Sequence, residues 1–232
     1  MDDIKLDESL QEIRFHANER NEPVEVEHIP PIFRLIGIGT DAVVVQHPDY
    51  PELVFKCYAL DRLGKKEQEQ QVYERLGESP YFAKLKGSGA RHLALSYEPG
   101  PTLYQCLEQG IIIPEQVIGQ VEEARRYARS KGLNPRDIHL KNVILQGNRA
   151  KVIDVSEYLN PGNDQRWDHL VEGYHLFYPL IRGKKLPAWL IEAVKNIYLQ
   201  QQGSSFHLQE FGKKIMHLFG LGQSNQDRDE GG

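Results

Sequence analysis

The hydrophobic period of this chain changes at Pro99-Gly100-Pro101, and that change is what most limits its fold. Before it lie short β-branched and aromatic runs, IFRLI, AVVVQ, LVFKCY, FAKLKG and HLALSY, separated by breaks that carry glycine or proline. Such runs predict strands, the first three of them antiparallel. After it, Val117, Val121, Ala124 and Ala128 fall on one face of a helix expected from Pro114 to Ser130 and closed by Gly132. NVILQ and AKVIDV flank Gly147 and Asn148 as a short hairpin, and from Arg166 to about Phe219 the pattern is helical. The expectation is an α+β protein of two lobes: a β-rich N-terminal lobe over residues 31–98, a mainly helical C-terminal lobe over 99–222, and a hinge at the Pro-Gly-Pro cluster.

One helix is expected inside the first lobe. Lys65 to Leu76 lacks Gly and Pro, and Leu63, Val72, Tyr73 and Leu76 give it one apolar face that ends at Gly77. Residues 1–30, with Leu6, Leu10 and Ile13 at helical spacing ahead of Pro30 and Pro31, read as an N-terminal extension. Residues 223–232 hold no apolar side chain to bury and read as a disordered tail.

Composition excludes several classes of function. With 40% hydrophobic and 26% charged residues in a chain of 232, an ordinary globular core is expected. The formal net charge of −5 gives no basic surface for a nucleic-acid backbone, so nucleic acid is not expected as a partner. No apolar run approaches the roughly 20 residues that span a bilayer as a helix. The acidic start, MDDIKLDESL, does not read as a secretory signal, and Cys57 and Cys106 have no disulfide or zinc spacing. The cytoplasm is the expected compartment.

Lys56 sits in the middle of the apolar run LVFKCY, where an ammonium group is costly unless it meets a carboxylate or a phosphate. Glu69 is the leading partner, because it precedes Val72 by three residues and can share its inward face. The alternative is an edge-strand lysine that snorkels into water. Gly37 and Gly39 lie between two expected strands, where bare glycine lets backbone amides approach phosphate oxygens, although an ordinary hairpin turn would look the same. The strongest signal is DIHLKN followed by VIDVS. Asp137 and Asn142 bracket one loop, and the hairpin after it returns Asp154 towards the same point. An amide oxygen and a carboxylate suit Mg²⁺, and the remaining carboxylate could orient or deprotonate a hydroxyl.

The order GIGTDAV, FK, E, DIHLKN, IDVS resembles the protein-kinase superfamily from about Ile32 to Tyr178, and most nearly its compact bacterial serine/threonine kinases. The resemblance implies a two-lobed protein-kinase-like fold with ATP and Mg²⁺ as the groups it uses. It implies that Ile36, Gly37 and Gly39 cover the nucleotide and that Lys56, paired with Glu69, holds the α- and β-phosphates. It also implies that Val44, Val54 and Ile144 sandwich adenine and that Ser96 and Glu98 offer it hinge backbone groups. Asp137 matches the catalytic aspartate, Asn142 and Asp154 the metal ligands, and Asp168 a buried aspartate that braces the catalytic loop. The implied reaction is transfer of the γ-phosphate to a Ser or Thr hydroxyl of a protein.

The departures bear on the acceptor. Pro135 stands where histidine precedes Arg-Asp, Ala42 replaces a third glycine, and Val155-Ser156 replaces Phe-Gly. His139 stands where protein kinases carry lysine, which resembles kinases of small molecules. Only thirteen residues separate Asp154 from Asp168 and no Ala-Pro-Glu follows, so the activation segment is expected to be short. Arg136 then reads as a surface charge, Lys184-Lys185 as a solvated turn, and His169 and His175 as residues without a metal role. A small-molecule kinase and a non-catalytic binding module are the competing readings.

Overall fold

Strand residues alternate between two faces of a sheet, so a strand that is apolar at every position must be covered on both sides. AVVVQ and LVFKCY carry apolar residues on both faces, with Lys56 as the exception at the centre, and both faces are covered. In the computed structural model, which describes residues 3–18, 22–201 and 208–218, they form β4 (Ala42–Gln46) and β5 (Leu53–Tyr58). With β3 (Arg34–Ile38), β6 (Leu85–Ser88) and β7 (His92–Ser96) they make an antiparallel sheet of order β3-β4-β5-β7-β6. The register pairs Val44 with Lys56 and Lys56 with Leu93, which puts Lys56 at the centre of the sheet and not at an edge.

Val43, Val45, Phe55, Cys57 and Ala94 point to the outer face. There they pack against Leu6, Leu10, Ile13, Phe15 and Val24. The described residues of the expected N-terminal extension, 1–30, thus form a layer on this sheet, made of α1 (Asp3–Gln11) and the pairing of β1 (Arg14–His16) with β2 (Glu25–His28). Arg91 ties the layer down, donating to the Ile13 carbonyl at 3.1 Å and lying over the Phe15 ring.

Val54, Tyr58, Leu93 and Leu95 point to the inner face, into a core shared with α2 (Leu63–Leu76) and the helical lobe. Gly77 ends α2 at φ +58°, its amide donating to the Tyr73 carbonyl, as a helix-terminating glycine does. Three contacts bind α2 to the lower lobe. Tyr73 donates to the Ile153 carbonyl at 2.9 Å, Lys65 meets Glu157 at 2.9 Å, and Tyr127 donates to the Leu76 carbonyl at 2.6 Å.

At the hinge, a Cβ on Gly100 would collide with the Leu145 carbonyl, so only glycine lets the chain pass there. Thr102 then caps α3 (Leu103–Gln109) in a reciprocal box with Gln105. The second lobe continues with α4 (Glu115–Ser130), the hairpin of β8 (Val143–Gln146) with β9 (Arg149–Val152), α5 (Arg166–Ile181), α6 (Ala188–Gln201) and α7 (Leu208–Leu218). The five expected strands of the first lobe, its helix, the helix of 114–130 and the short hairpin are present, whereas β1, β2 and α3 were not expected, β9 ends at Val152, and the helical stretch from Arg166 is divided into α5, α6 and α7. The expected tail, 223–232, lies outside the described residues.

Leu10 is fully buried between α1 and the sheet. Leu10→Ala should destabilise the fold by about 2–5 kcal/mol, the range for truncating a buried leucine. Urea denaturation measures this, and an unchanged midpoint would mean that the layer does not belong to the cooperative unit.

Candidate active site

The sheet brings the Lys56 side chain to the inner face, and α2 delivers a carboxylate to it. Lys56 Nζ lies 2.7 Å from Glu69 Oε2 and 3.3 Å from Asp154 Oδ2. Glu69 is completely buried, and Tyr58 donates a second hydrogen bond to the same oxygen at 2.5 Å. Burial alone would lower the Lys56 pKa, but Asp154 and Glu69 outweigh it and hold the amine charged above the ordinary lysine range. Burial raises the Glu69 pKa and Lys56 opposes that rise. At Asp154 the balance reverses: burial is outweighed by Lys56 and by the Ser156 amide, and its pKa falls below the ordinary carboxylate value. The Ser156 amide donates to Asp154 Oδ1 at 3.1 Å.

Beneath this triad runs the loop 137–142. Asp137 adopts φ +57°, a left-handed conformation uncommon outside glycine and associated with functional sites. Its amide is held by Asp164 Oδ2 at 2.6 Å, and its carbonyl accepts from Asn142 Nδ2 at 3.1 Å. That contact uses the nitrogen of the Asn142 amide and leaves its oxygen as a donor atom for a cation. The Asp137 carboxylate pairs with Arg166 at the start of α5. Burial pushes the Asp137 pKa up to about 6, against the pull of Arg166 and with the help of Asp154, Asp164 and Glu157.

His139 is held neutral, its pKa pushed down to about 4 by burial. Its Nδ1 accepts from the Lys141 amide at 3.2 Å, which leaves the ring proton on Nε2.

The apolar part of the cleft lies at the hinge. Val54 and Ile144 are buried and Val44 is partly so, while Ile36 stays 37% exposed on the edge strand β3. All four line the same cleft as Gly37, Gly39, Lys56, Asp137, Asn142 and Asp154. Gly37 lies in β3 opposite Val44, and Gly39 opens a tight turn closed by its amide on the Ala42 carbonyl at 2.8 Å. The Ser96 amide is taken by the Lys84 carbonyl, so what Ser96 has left to offer from its backbone is its carbonyl. Its hydroxyl bridges the Lys84 amide and Glu98, and Glu98 also accepts from Gln146 at 3.0 Å across the hinge.

A divalent cation fits the donor chemistry at Asn142 and Asp154, an amide oxygen beside an ionised carboxylate. Among the described residues no group of three or more His, Cys, Asp or Glu could hold a metal alone. The two-ligand arrangement suits Mg²⁺, which completes its shell with water and phosphate.

No protein-family model matches the chain. A Bacillus subtilis (strain 168) protein named "Putative serine/threonine-protein kinase YrzF" is 35% identical over 167 residues, which cover 71% of this chain and 78% of that protein. The chain belongs to the protein-kinase-like superfamily. Among solved structures, the kinase domain of Mycobacterium tuberculosis PknI, in a cysteine-to-alanine mutant, is 18% identical, with a TM-score of 0.47 over 83% of this chain and 86% of that one. Among the described residues no helix is long and apolar enough to cross a membrane.

Within this kinase-like fold the expectation for Asp168 is corrected. Its side chain is 48% exposed and pairs with Arg125 on α4 at 2.7 Å, away from the loop it was expected to brace. Asp164 does the bracing, with one oxygen on the Asp137 amide and the other on the Arg166 amide at 3.2 Å. The signal was an aspartate two residues ahead of a helix turn, the Asx pattern. Arg136 is likewise not a free surface charge: it is half-buried and donates to the Pro161 carbonyl. The short segment after Asp154 is pinned further by Asn134, which donates to the carbonyls of Asn160 and Gly162 at 2.7 Å each. His169 meets Tyr198 at 2.7 Å, while Lys184 and Lys185 are exposed.

Carboxyl-carbon NMR should find Asp137 titrating near pH 6. Arg166→Gln should move that titration upward, since the guanidinium favours the ionised form. An unshifted titration would mean that the ion pair does not form in solution.

Proposed function

We propose that this protein is an ATP- and Mg²⁺-dependent phosphotransferase that moves the γ-phosphate of ATP to a Ser or Thr hydroxyl of a protein. The observation that carries the reading is the Lys56 ammonium held between Glu69 and Asp154 in a cleft that also presents Asp137 and Asn142. Adenine would lie between Val44 and Val54 above and Ile144 below, against the Ser96 carbonyl and the Glu98 backbone. Ile36, Gly37 and Gly39 would cover the phosphates.

Lys56 would hold the α- and β-phosphates, and the fixed Glu69 carboxylate keeps the amine aimed. Asn142 and Asp154 would hold Mg²⁺, which neutralises phosphate charge when bound. Asp137 would orient the acceptor hydroxyl and take its proton as the hydroxyl oxygen bonds to the γ-phosphorus. The bond from that phosphorus to the bridging oxygen breaks, and ADP leaves. Because Arg166 already pairs with the Asp137 carboxylate, an acceptor hydroxyl must share or displace it. Two free, buried cysteines suit the reducing cytoplasm as the place of action.

A small-molecule acceptor is the second reading. The compact segment 155–165, pinned by Asn134, favours it, because it leaves no extended platform for a peptide, and His139 stands where protein kinases carry lysine.

With labelled ATP and Mg²⁺, the protein should transfer label to a protein acceptor. Asp137→Asn should lower turnover by at least about 100-fold while ATP binding survives. Asp154→Ala should abolish turnover. ADP release stimulated by metabolites without labelled protein would move the assignment to the second reading. Full turnover in Asp154→Ala would remove the assignment altogether.

A further inference from the structure

We infer that Arg62 is a positioning residue that clamps the glycine turn to the root of α2, with Asn18 and Val24 of the outer layer closing the clamp. The inference rests on the proposed nucleotide site and names a device that controls it.

Three contacts converge on the turn 39–42, and a fourth ties Arg62 to the outer layer. Arg62 Nε lies 3.2 Å from Asp41 Oδ1 at the tip of the turn. The Asp41 carbonyl accepts from the Ala59 amide at 3.0 Å, just ahead of the 3₁₀ turn Leu60–Arg62 that leads directly into α2. From the outer layer, the Val24 amide donates to the Gly39 carbonyl at 2.9 Å. Arg62 reaches back to the same layer, donating to the Asn18 carbonyl at 3.5 Å. Asn18, Pro23, Asp41 and Arg62 all line the cleft that contains Lys56.

The consequence follows from chain continuity. Arg62 immediately precedes α2, and α2 carries Glu69, so any shift of α2 that pulls Glu69 from Lys56 also pulls Arg62 from Asp41. The turn that would cover the phosphates and the lysine that would hold them therefore share one mechanical support. A turn that opens on glycine gains from such an outside support, because the backbone at Gly39 is the least restricted. Both side chains are about one-third exposed, so the pair is of moderate strength, and Asp61 lies at 3.6 Å as a competing partner for the guanidinium. A clamp of that strength can release without unfolding the lobe.

The test uses full-length protein with Arg62→Gln, Asp41→Asn and the double variant. Hydrogen exchange in the absence of nucleotide is read at the Gly39 and Ala59 amides, beside ATP affinity by calorimetry and turnover. Each single variant should speed exchange at both amides and weaken ATP binding by about threefold to fivefold, the effect of one moderately exposed ion pair. The Michaelis constant for the acceptor should stay unchanged. The double variant should match the worse single variant, because both substitutions remove one interaction. Exchange at parental rates, or losses that multiply in the double variant, would overturn the clamp. If the parent binds ATP but transfers nothing, the proposed function fails while exchange and affinity still decide the clamp. If it turns over normally and the variants exchange like the parent, the clamp fails while the function stands. A parent that binds no ATP overturns both.

Discussion

An ammonium group in the middle of a covered sheet is tolerable only if carboxylates meet it, and the rest of the molecule is arranged around that requirement at Lys56. Glu69 has to be fully buried to reach it, and a buried carboxylate is itself costly without its cation. Each group therefore depends on the other, and both depend on the placement of α2. The helix is fixed from below by its own Tyr73 and Lys65, whose partners are Ile153 and Glu157 of the lower lobe, and by Tyr127 of the lower lobe, which donates to the Leu76 carbonyl. Asp154 adds a second carboxylate, 3.3 Å from the same ammonium, and joins the end of the lower hairpin to the upper sheet. Lys56 thus joins the two lobes electrostatically, beside the Lys65–Glu157 pair.

Much of this was legible in the sequence because it follows from cost. A lysine flanked by Phe55 and Cys57 announces a hidden partner, and a glycine-free run with Glu69 ahead of Val72 supplies one. The strand and helix boundaries followed from Gly and Pro in the same way. What escaped notice depended on three-dimensional choice between equivalent groups. Asp164 and Asp168 are both aspartates near the start of α5, and spacing alone does not say which turns inward. The Asx bond to the Arg166 amide decides it, holding Asp164 against the loop while the helix carries Asp168 round to Arg125. The layer on the outer face was also written in the chain, as Val43, Val45, Phe55 and Cys57 at positions that a one-sided sheet would leave polar. Reading Leu6, Leu10 and Ile13 as their cover required joining two segments that are far apart in sequence.

Asp137 sits where two local demands conflict. Its backbone is held in a left-handed conformation by the Asp164 carboxylate, while its own carboxylate is pushed towards protonation by burial and drawn back by Arg166. Asp164 and Arg166 leave the same short stretch of chain. One end of α5 therefore sets both the geometry and the charge of Asp137, and movement of that end changes the two together.

The outer layer has a mechanical meaning. A lone twisted sheet is a thin plate, and bending resistance rises steeply with thickness. With α1 and the first hairpin packed on one side and α2 on the other, the upper lobe is a three-ply laminate. Such a body resists bending, so any change in the width of the cleft would fall on its rim and spare the strand that carries Lys56.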